Sequence, residues 1–145
     1  MSPHALWHGL GELHPAIVHF PVALALTAFV AEALVMIRKQ GWYADAARFM
    51  IIAAAATALP AALAGFAAAS AEEIAPAWAG AFAVHRVAGL VTPPLAVLAA
   101  GLAESTRRSG QIWEQILYRV FLALAAAGAA VAAVAGGLLA HGGGS

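Results

Sequence analysis

The chain has 145 residues, of which 63% are hydrophobic and 10% are charged, with a formal net charge of zero. With a mean hydropathy of +0.87, this composition excludes an ordinary soluble domain, and the absence of a basic stripe excludes a nucleic-acid-binding surface. Cysteine is absent, which argues against covalent c-type haem and thiolate-held iron–sulfur clusters.

Four long apolar stretches follow one another along the chain. The first, Ala16–Ile37, has only His19 and Glu32 as ionisable residues, and the third, Val84–Ala103, has only His85 and Arg86. The second, Phe49–Ser70, and the fourth, Val120–Ala140, carry no charge. Each matches the roughly 20 residues that a helix needs to span a ~30 Å hydrocarbon core. The sequence therefore predicts a single all-α domain, residues 1–145, folded as an integral membrane four-helix up-and-down bundle with spans at about 15–37, 48–70, 80–104 and 114–141.

Charged residues determine the expected orientation of this bundle. Basic side chains flank the first and third connections, whereas the charged residues of the second are Glu72 and Glu73. By the positive-inside rule the first and third connections are cytoplasmic, so both termini lie outside. No basic region precedes the first apolar stretch, so a cleavable signal peptide is not expected. Near the basic end, Glu32 is expected to form a salt bridge with Arg48 or Arg119.

All six histidines fall at the end of the bundle opposite to most of the basic residues. Counted from the basic flank at ~1.5 Å per residue, His19 lies roughly 28 Å from Arg38 and His14 roughly 36 Å from it. On the same scale His85 and His141 each lie roughly 33 Å from the arginine at the basic end of their helix. Helices one, three and four therefore bring imidazoles to one layer near the non-cytoplasmic face.

A non-covalent b-type haem held by two imidazoles fits this layer, because imidazole is the usual axial ligand of membrane haem. His19 and His85 form the expected pair, since helices one and three of an up-and-down bundle can lie diagonally across its core. Arg86 adjoins His85 and could pair with a haem propionate. His14 and His141 could ligate a second haem or a metal ion.

Other interpretations of the same residues stay open at this point. Three or four converging imidazoles without cysteine would also fit copper, zinc or nickel, which would make the protein a metal-binding or metal-transport module. His4 and His8 are expected to be solvated in the outer tail, and His141 could simply favour the negative end of its helix dipole. Arg86 could instead pair with the glutamates of the second connection.

The run from Leu13 to Pro21 reads Leu-His-Pro-Ala-Ile-Val-His-Phe-Pro. It resembles the opening motif of an uncharacterised family of bacterial four-helix membrane proteins, domain of unknown function 2231. In that family a histidine follows on the third helix, which His85 resembles here, and a Gly-Gly-rich fourth helix can end in a His-Gly pair, which His141-Gly142 resembles. The resemblance covers essentially the whole chain and implies that the histidine layer belongs to the family pattern.

We therefore expect a multi-pass protein of the bacterial inner membrane that carries b-type haem near the periplasmic face and transfers single electrons, similar in architecture to the small membrane cytochromes b. A quinone or a periplasmic redox protein would be its electron partner, which would make it an electron-transfer protein or a quinone-linked oxidoreductase. Self-association into a homo-oligomer is compatible with the sequence. A third hypothesis is a small assembly or anchor protein whose histidines only decorate the membrane interface.

Overall fold

A computed structural model describes residues 2–70 and 74–142, and within those ranges the chain is helical, with no strand. The α-helices are α1 (Pro3–Glu12), α2 (His14–Ile17), α3 (His19–Arg38), α4 (Gly41–Ala69), α5 (Ala79–Ser109) and α6 (Ile112–Gly142), and a 3-10 turn at Pro76–Trp78 precedes α5. Four segments are long and apolar enough to cross a membrane: His14–Arg38, Gly41–Ala69, Pro76–Ser109 and Ile112–His141. The prediction of an all-α membrane bundle with four spans is confirmed.

The four spans form a ring. Helix α3 packs against α4, α4 against α5 and α5 against α6, and the ring closes where α6 packs against α3. Because consecutive spans are joined by short connections, neighbours run antiparallel. The first and third spans therefore lie across a diagonal of the bundle and begin at the same end, so that side chains near their first residues can meet close to its axis.

Small side chains fill the interior of the bundle and large ones cover its outside. In the described ranges, the buried apolar core consists of alanine apart from Pro21, Ile51, Pro93, Tyr118 and Leu122. Large apolar residues such as Phe49, which is 70% exposed, point outward along the spans. Lipid tails are as apolar as these side chains, so membrane helices associate through close backbone packing, which alanine permits.

Two groups of ion pairs lie at the basic end of the bundle. Arg119 Nε donates to Glu32 Oε1 at 2.8 Å, which confirms the predicted salt bridge of Glu32. Glu104 accepts hydrogen bonds from three arginines, with its closest contacts at 2.8 to 3.0 Å: Arg48, Arg107 and Arg108. Both groups join different spans, since Glu32 and Arg119 belong to α3 and α6, and Arg48 and Glu104 belong to α4 and α5.

The amino-terminal helix α1 folds over the opposite end of the bundle, against the last turns of α4. Trp7 Nε1 donates to Ser70 Oγ at 2.9 Å. Gly11 packs so closely on α4 that a Cβ at this position would lie 2.8 Å from the backbone nitrogen of Ala68. The amino-terminal segment is thus fixed to the end of the bundle that carries the histidines.

Candidate histidine site

His14 is the first residue of α2, the short helix that opens the first span. Pro15 follows it, and a proline suits this position because the first turn of a helix has no intrahelical use for its missing N–H. The Nδ1 of His14 lies 3.0 Å from the carbonyl oxygen of Ala61 on α4. One turn further along α4, a Cβ at Gly65 would lie 2.9 Å from His14 Cε1. Glycine at residue 65 therefore leaves the space that the imidazole occupies.

His85 lies in the second turn of α5 and is held in the same manner. Its Nδ1 lies 2.8 Å from the carbonyl oxygen of Ala132 on α6. A Cβ at Gly136, one turn further along α6, would lie 2.9 Å from His85 Cε1 and 3.0 Å from its Nδ1. Each histidine is thus bonded to one alanine carbonyl and packed against one glycine of the following span.

The hydrogen bonds determine which ring nitrogen is free. A carbonyl oxygen can only accept, so Nδ1 of each imidazole carries the proton and donates it. In the part of the chain that the structure describes, these are the hydrogen bonds that the two rings make, which leaves each Nε2 available. Histidines that bind a metal through one ring nitrogen almost always donate a hydrogen bond from the other, often to a backbone carbonyl.

The rings of His14 and His85 meet across the bundle. Their centroids are 6.1 Å apart, and their planes are inclined at 76°. Both rings are half-buried. Within residues 2–70 and 74–142, no group of three or more histidine, aspartate or glutamate side chains is placed to hold a metal ion. The converging site is therefore a pair of imidazoles.

The pair of His14 and His85 corresponds to an internal repeat of the sequence. Residues 7–70 align without a gap onto residues 78–141, at a spacing of 71 residues. The identical pairs include many alanines and one pair of leucines, Leu24 and Leu95. The identical pairs of aromatic or polar residues are Trp7 and Trp78, His14 and His85, Gln40 and Gln111, Trp42 and Trp113, and Arg48 and Arg119. Matches of alanine add little in a chain so rich in it, so these five pairs carry the repeat.

The structure repeats at the same spacing. Ala61 and Ala132, whose carbonyls hold the two rings, are 71 residues apart, and so are Gly65 and Gly136. The turns at the basic end agree as well, because α3 and α5 end in left-handed C-caps that are also 71 residues apart. Each half of the chain is therefore a two-helix unit with its own histidine, carbonyl and glycine.

These equivalent contacts are the ones expected of two units related by an approximate two-fold axis. Because both units begin at the same end of the bundle, such an axis would run along the bundle, as in transporters built from parallel repeats. His14 and His85 are equivalent positions of the two units, and they are close enough to meet near the axis. The duplication thus supplies one site from two half-sites.

The model of a family described as a predicted membrane protein, domain of unknown function 2231, matches residues 11–143. The chain belongs to this family. The match includes the histidine motif at the start of the first span and extends through all four spans, which confirms the resemblance found in the sequence. No curated protein and no solved structure matches the chain.

Two other histidines of this DUF2231 protein lie elsewhere in the expected layer. His19, the expected partner of His85, is exposed at the start of α3, and the imidazole that lies against His85 is that of His14. His141 is exposed near the end of α6, and its Nδ1 lies 2.8 Å from the carbonyl oxygen of Gly137 in its own helix. A bond of this kind suits a histidine at a helix carboxyl end.

The remaining residues of the layer are at the surface. Arg86 is exposed beside His85, and its alternative partners Glu72 and Glu73 lie outside the described residues. His4 and His8 are exposed on α1, one turn apart, with ring centroids 5.6 Å from each other. The two histidines that converge are thus the ones at equivalent positions of the repeat.

Sequence reasoning missed the two glycines and the two carbonyls that hold the rings. The signal that finds them is the repeat, since it singles out His14 and His85 as the equivalent histidine pair. It also aligns the Ala-Ala-Leu-Ala-Gly run at 61–65 with the Ala-Ala-Val-Ala-Gly run at 132–136. A duplicated histidine together with a duplicated small-residue run predicts one site on the axis.

Proposed function

We propose that this protein is a b-type haem protein of the bacterial inner membrane that transfers single electrons, in which His14 and His85 would hold the haem iron. The observation that supports it most is the pair of imidazoles 6.1 Å apart, each held through Nδ1 by a backbone carbonyl. His14 replaces His19 in the proposed pair, because His19 is exposed.

The spacing of the rings suits two ligands of one iron. With metal–nitrogen bonds of about 2.0 Å and a nitrogen roughly 1 Å from the ring centre, two opposed imidazoles have centroids roughly 6 Å apart. Haem iron already has the macrocycle as a ligand, so two imidazoles of the protein would be enough to hold it. Two imidazoles converge among the described residues, so the number of imidazoles and the distance between their ring centres both fit haem.

The helices next to the rings carry small residues at this level. Ala61 and Gly65 of α4, and their equivalents Ala132 and Gly136 of α6, contact the imidazoles directly. Small residues at helix contacts let a flat group approach the backbone, whereas leucine or phenylalanine would block it. The composition around the pair is thus compatible with a macrocycle between the two units.

The chain's own residues would orient the ligands and set the local charge. The carbonyls of Ala61 and Ala132 fix the tautomer of the imidazoles and make them stronger donors to a metal. When bound, haem supplies a one-electron couple. Arg86, exposed beside His85, would hold a propionate and favour the reduced form through its positive charge. The electron partner would be a quinone or a periplasmic redox protein.

The rival proposal is a transition-metal ion bound by the same two imidazoles. It rests on the same free Nε2 atoms, which suit copper, zinc or nickel. Those ions usually take three or four protein ligands, and no such group converges among the residues that the structure describes. Water or an external ligand would have to complete the coordination, so haem is the better-supported occupant.

The composition of the purified protein separates these proposals. The protein is expressed in a haem-producing bacterium, purified in mild detergent, and assayed for haem by the pyridine haemochrome method and for metals by elemental analysis. About one haem per chain, with iron in the same ratio, is the expected result. A colourless protein with stoichiometric copper, zinc or nickel would support the metal proposal and contradict the haem proposal. A protein with neither haem nor metal would contradict both proposals.

A further inference from the structure

A second polar site lies at the basic end of the bundle, far from the histidines. There a cleft of about 160 Å³ is bordered by residues of all four spans, among them Glu32 of α3, Arg48 of α4, Thr106 of α5 and Tyr118 of α6. From His14 to Glu32 the chain advances roughly 27 Å at ~1.5 Å per residue. The cleft is therefore separate from the proposed haem site.

The repeat places this cleft close to the two-fold axis. Three pairs of equivalent residues border it from opposite units, at positions 32 and 103, 35 and 106, and 44 and 115. At the second and third of these pairs the first unit has an apolar side chain and the second a polar one, namely Val35 against Thr106 and Ala44 against Gln115. Tyr118, which also borders the cleft, has an alanine as its equivalent, Ala47. The second unit thus supplies hydrogen-bonding groups at three positions where the first unit is apolar, whereas at the pair 32 and 103 the polar residue, Glu32, belongs to the first unit.

Three polar atoms at the cleft are buried without a hydrogen-bond partner. They are Nε of Arg48, Oγ1 of Thr106 and the hydroxyl oxygen of Tyr118, whose side chain belongs to a residue only 5% exposed. All three belong to residues that line the cleft, where the carboxylate of Glu32 lies beside the Tyr118 hydroxyl without meeting hydrogen-bond geometry. A buried polar group without a partner is destabilising, and three such groups around one cleft indicate that the cleft suits a hydrogen-bond acceptor.

The charge around the cleft favours an anion. Glu32 is paired with Arg119, and Glu104 accepts hydrogen bonds from Arg48, Arg107 and Arg108. The charged side chains that line the cleft balance one another, with Arg48 and Arg107 against Glu32 and Asp45. The basic end as a whole carries six basic residues, Arg38, Lys39, Arg48, Arg107, Arg108 and Arg119, against four acidic ones, Glu32, Asp45, Glu104 and Glu114. Two positive charges are therefore in excess at this end of the bundle.

We propose that the cleft binds a phosphate group, either that of an anionic phospholipid headgroup or free phosphate. Arginine and hydroxyl donors are the groups that hold phosphate oxygens in proteins. Basic pockets between membrane helices on the cytoplasmic side bind anionic headgroups, and the positive-inside rule assigns this end to the cytoplasm. The duplicated fold would then carry a symmetric site at one end of its axis and an asymmetric one at the other.

Thermal unfolding of the purified protein in detergent tests the proposal without reference to haem. The midpoint is measured while phosphatidylglycerol, phosphatidylcholine or sodium phosphate is titrated in at constant ionic strength. We expect phosphatidylglycerol to raise the midpoint in a saturable manner and phosphatidylcholine to have a much smaller effect. An equal rise with sodium phosphate would identify free phosphate as the ligand, and no rise with it would identify the headgroup.

Variants link the response to the cleft. Tyr118→Phe removes one donor and should weaken the apparent affinity for phosphatidylglycerol roughly tenfold, and Thr106→Val should act in the same direction. Tyr43→Phe is the matched control, because Tyr43 is the other tyrosine of the chain, lies at the same end and does not border the cleft. Equal responses to phosphatidylglycerol and phosphatidylcholine, or responses of Tyr118→Phe and Thr106→Val that match the wild type, would overturn the proposal.

Discussion

Replacing Gly65 with alanine should displace the His14 ring. The added Cβ would lie 2.9 Å from His14 Cε1, whereas ordinary contacts begin at 3.4 Å, so the ring must move by about 0.5 Å. A shift of that size stretches the 3.0 Å bond from His14 Nδ1 to the carbonyl of Ala61 to the limit of hydrogen-bond range. Losing such an orienting bond lowers the affinity for a metal about 10- to 100-fold.

Gly136→Ala should have the same effect on His85. Its Cβ would lie 2.9 Å from Cε1 and 3.0 Å from Nδ1, and the bond at risk, from Nδ1 to the carbonyl of Ala132, is 2.8 Å long. Because the two units are equivalent, both substitutions should weaken haem binding by a similar factor. The assay is a titration of the haem-free protein with haemin in detergent, followed by absorbance.

Gly89→Ala and Gly137→Ala are the matched controls. Each lies one helical turn from a histidine of the layer, and a Cβ at either position meets nothing within 4 Å. Alanine is also the better helix former by up to about 1 kcal/mol, so both controls should fold and bind as the wild type does. Wild-type affinity in Gly65→Ala and Gly136→Ala would refute the reasoning, and so would an equal loss in all four variants.

Three further predictions concern topology, charge and stability. Cysteine labelling in intact cells should find Gln40 and Ser109 in the cytoplasm, and labelling of Ser109 from the periplasm would reverse the orientation. In a redox titration Arg86→Gln should lower the midpoint potential of bound haem, since a positive charge near the iron favours the reduced form; an unchanged potential would mean that Arg86 does not contact a propionate. Glu32→Ala leaves the half-buried guanidinium of Arg119 without its partner and should lower stability by about 1–3 kcal/mol, which an unchanged thermal midpoint would contradict.

Hydropathy and charge were sufficient to predict the spans and the ion pair at the basic end. A run of about 20 apolar residues must be helical in lipid, because every backbone polar group needs a partner within the chain. The salt bridge of Glu32 could be predicted for a similar reason, since an unpaired carboxylate within a span is costly. Both predictions follow from a single segment and need no knowledge of how segments face one another.

The choice between His14 and His19 required knowledge of which face of the first span is turned toward the other spans. The inward face of the first span is marked by small or buried residues at positions 21, 25, 28 and 32, a helical spacing of four, three and four. Seven residues, or two turns, before Pro21, the same face of the helix includes His14, whereas His19 lies on a different face. Depth alone placed both histidines in one layer, whereas the stripe of small residues indicates which of them faces the axis.

The contacts between the two units were not visible from the composition of any one span. Alanine occurs on both the inward and the outward faces of these helices, so it marks an inward face only weakly. Comparison of the sequence with itself does better, because the 71-residue spacing pairs His14 with His85 and Gly65 with Gly136. The polar cleft at the basic end could not be found in this way, since it is formed where the two units differ.

The most direct test of the central claim is the absorption spectrum of oxidised and reduced protein in three single variants. The wild type should show the Soret and α bands of low-spin haem with two imidazole ligands. His14→Ala and His85→Ala should each lose that spectrum or convert it to high spin, whereas His19→Ala should retain it. A low-spin spectrum that persists in His14→Ala and disappears in His19→Ala would contradict the proposed ligand pair.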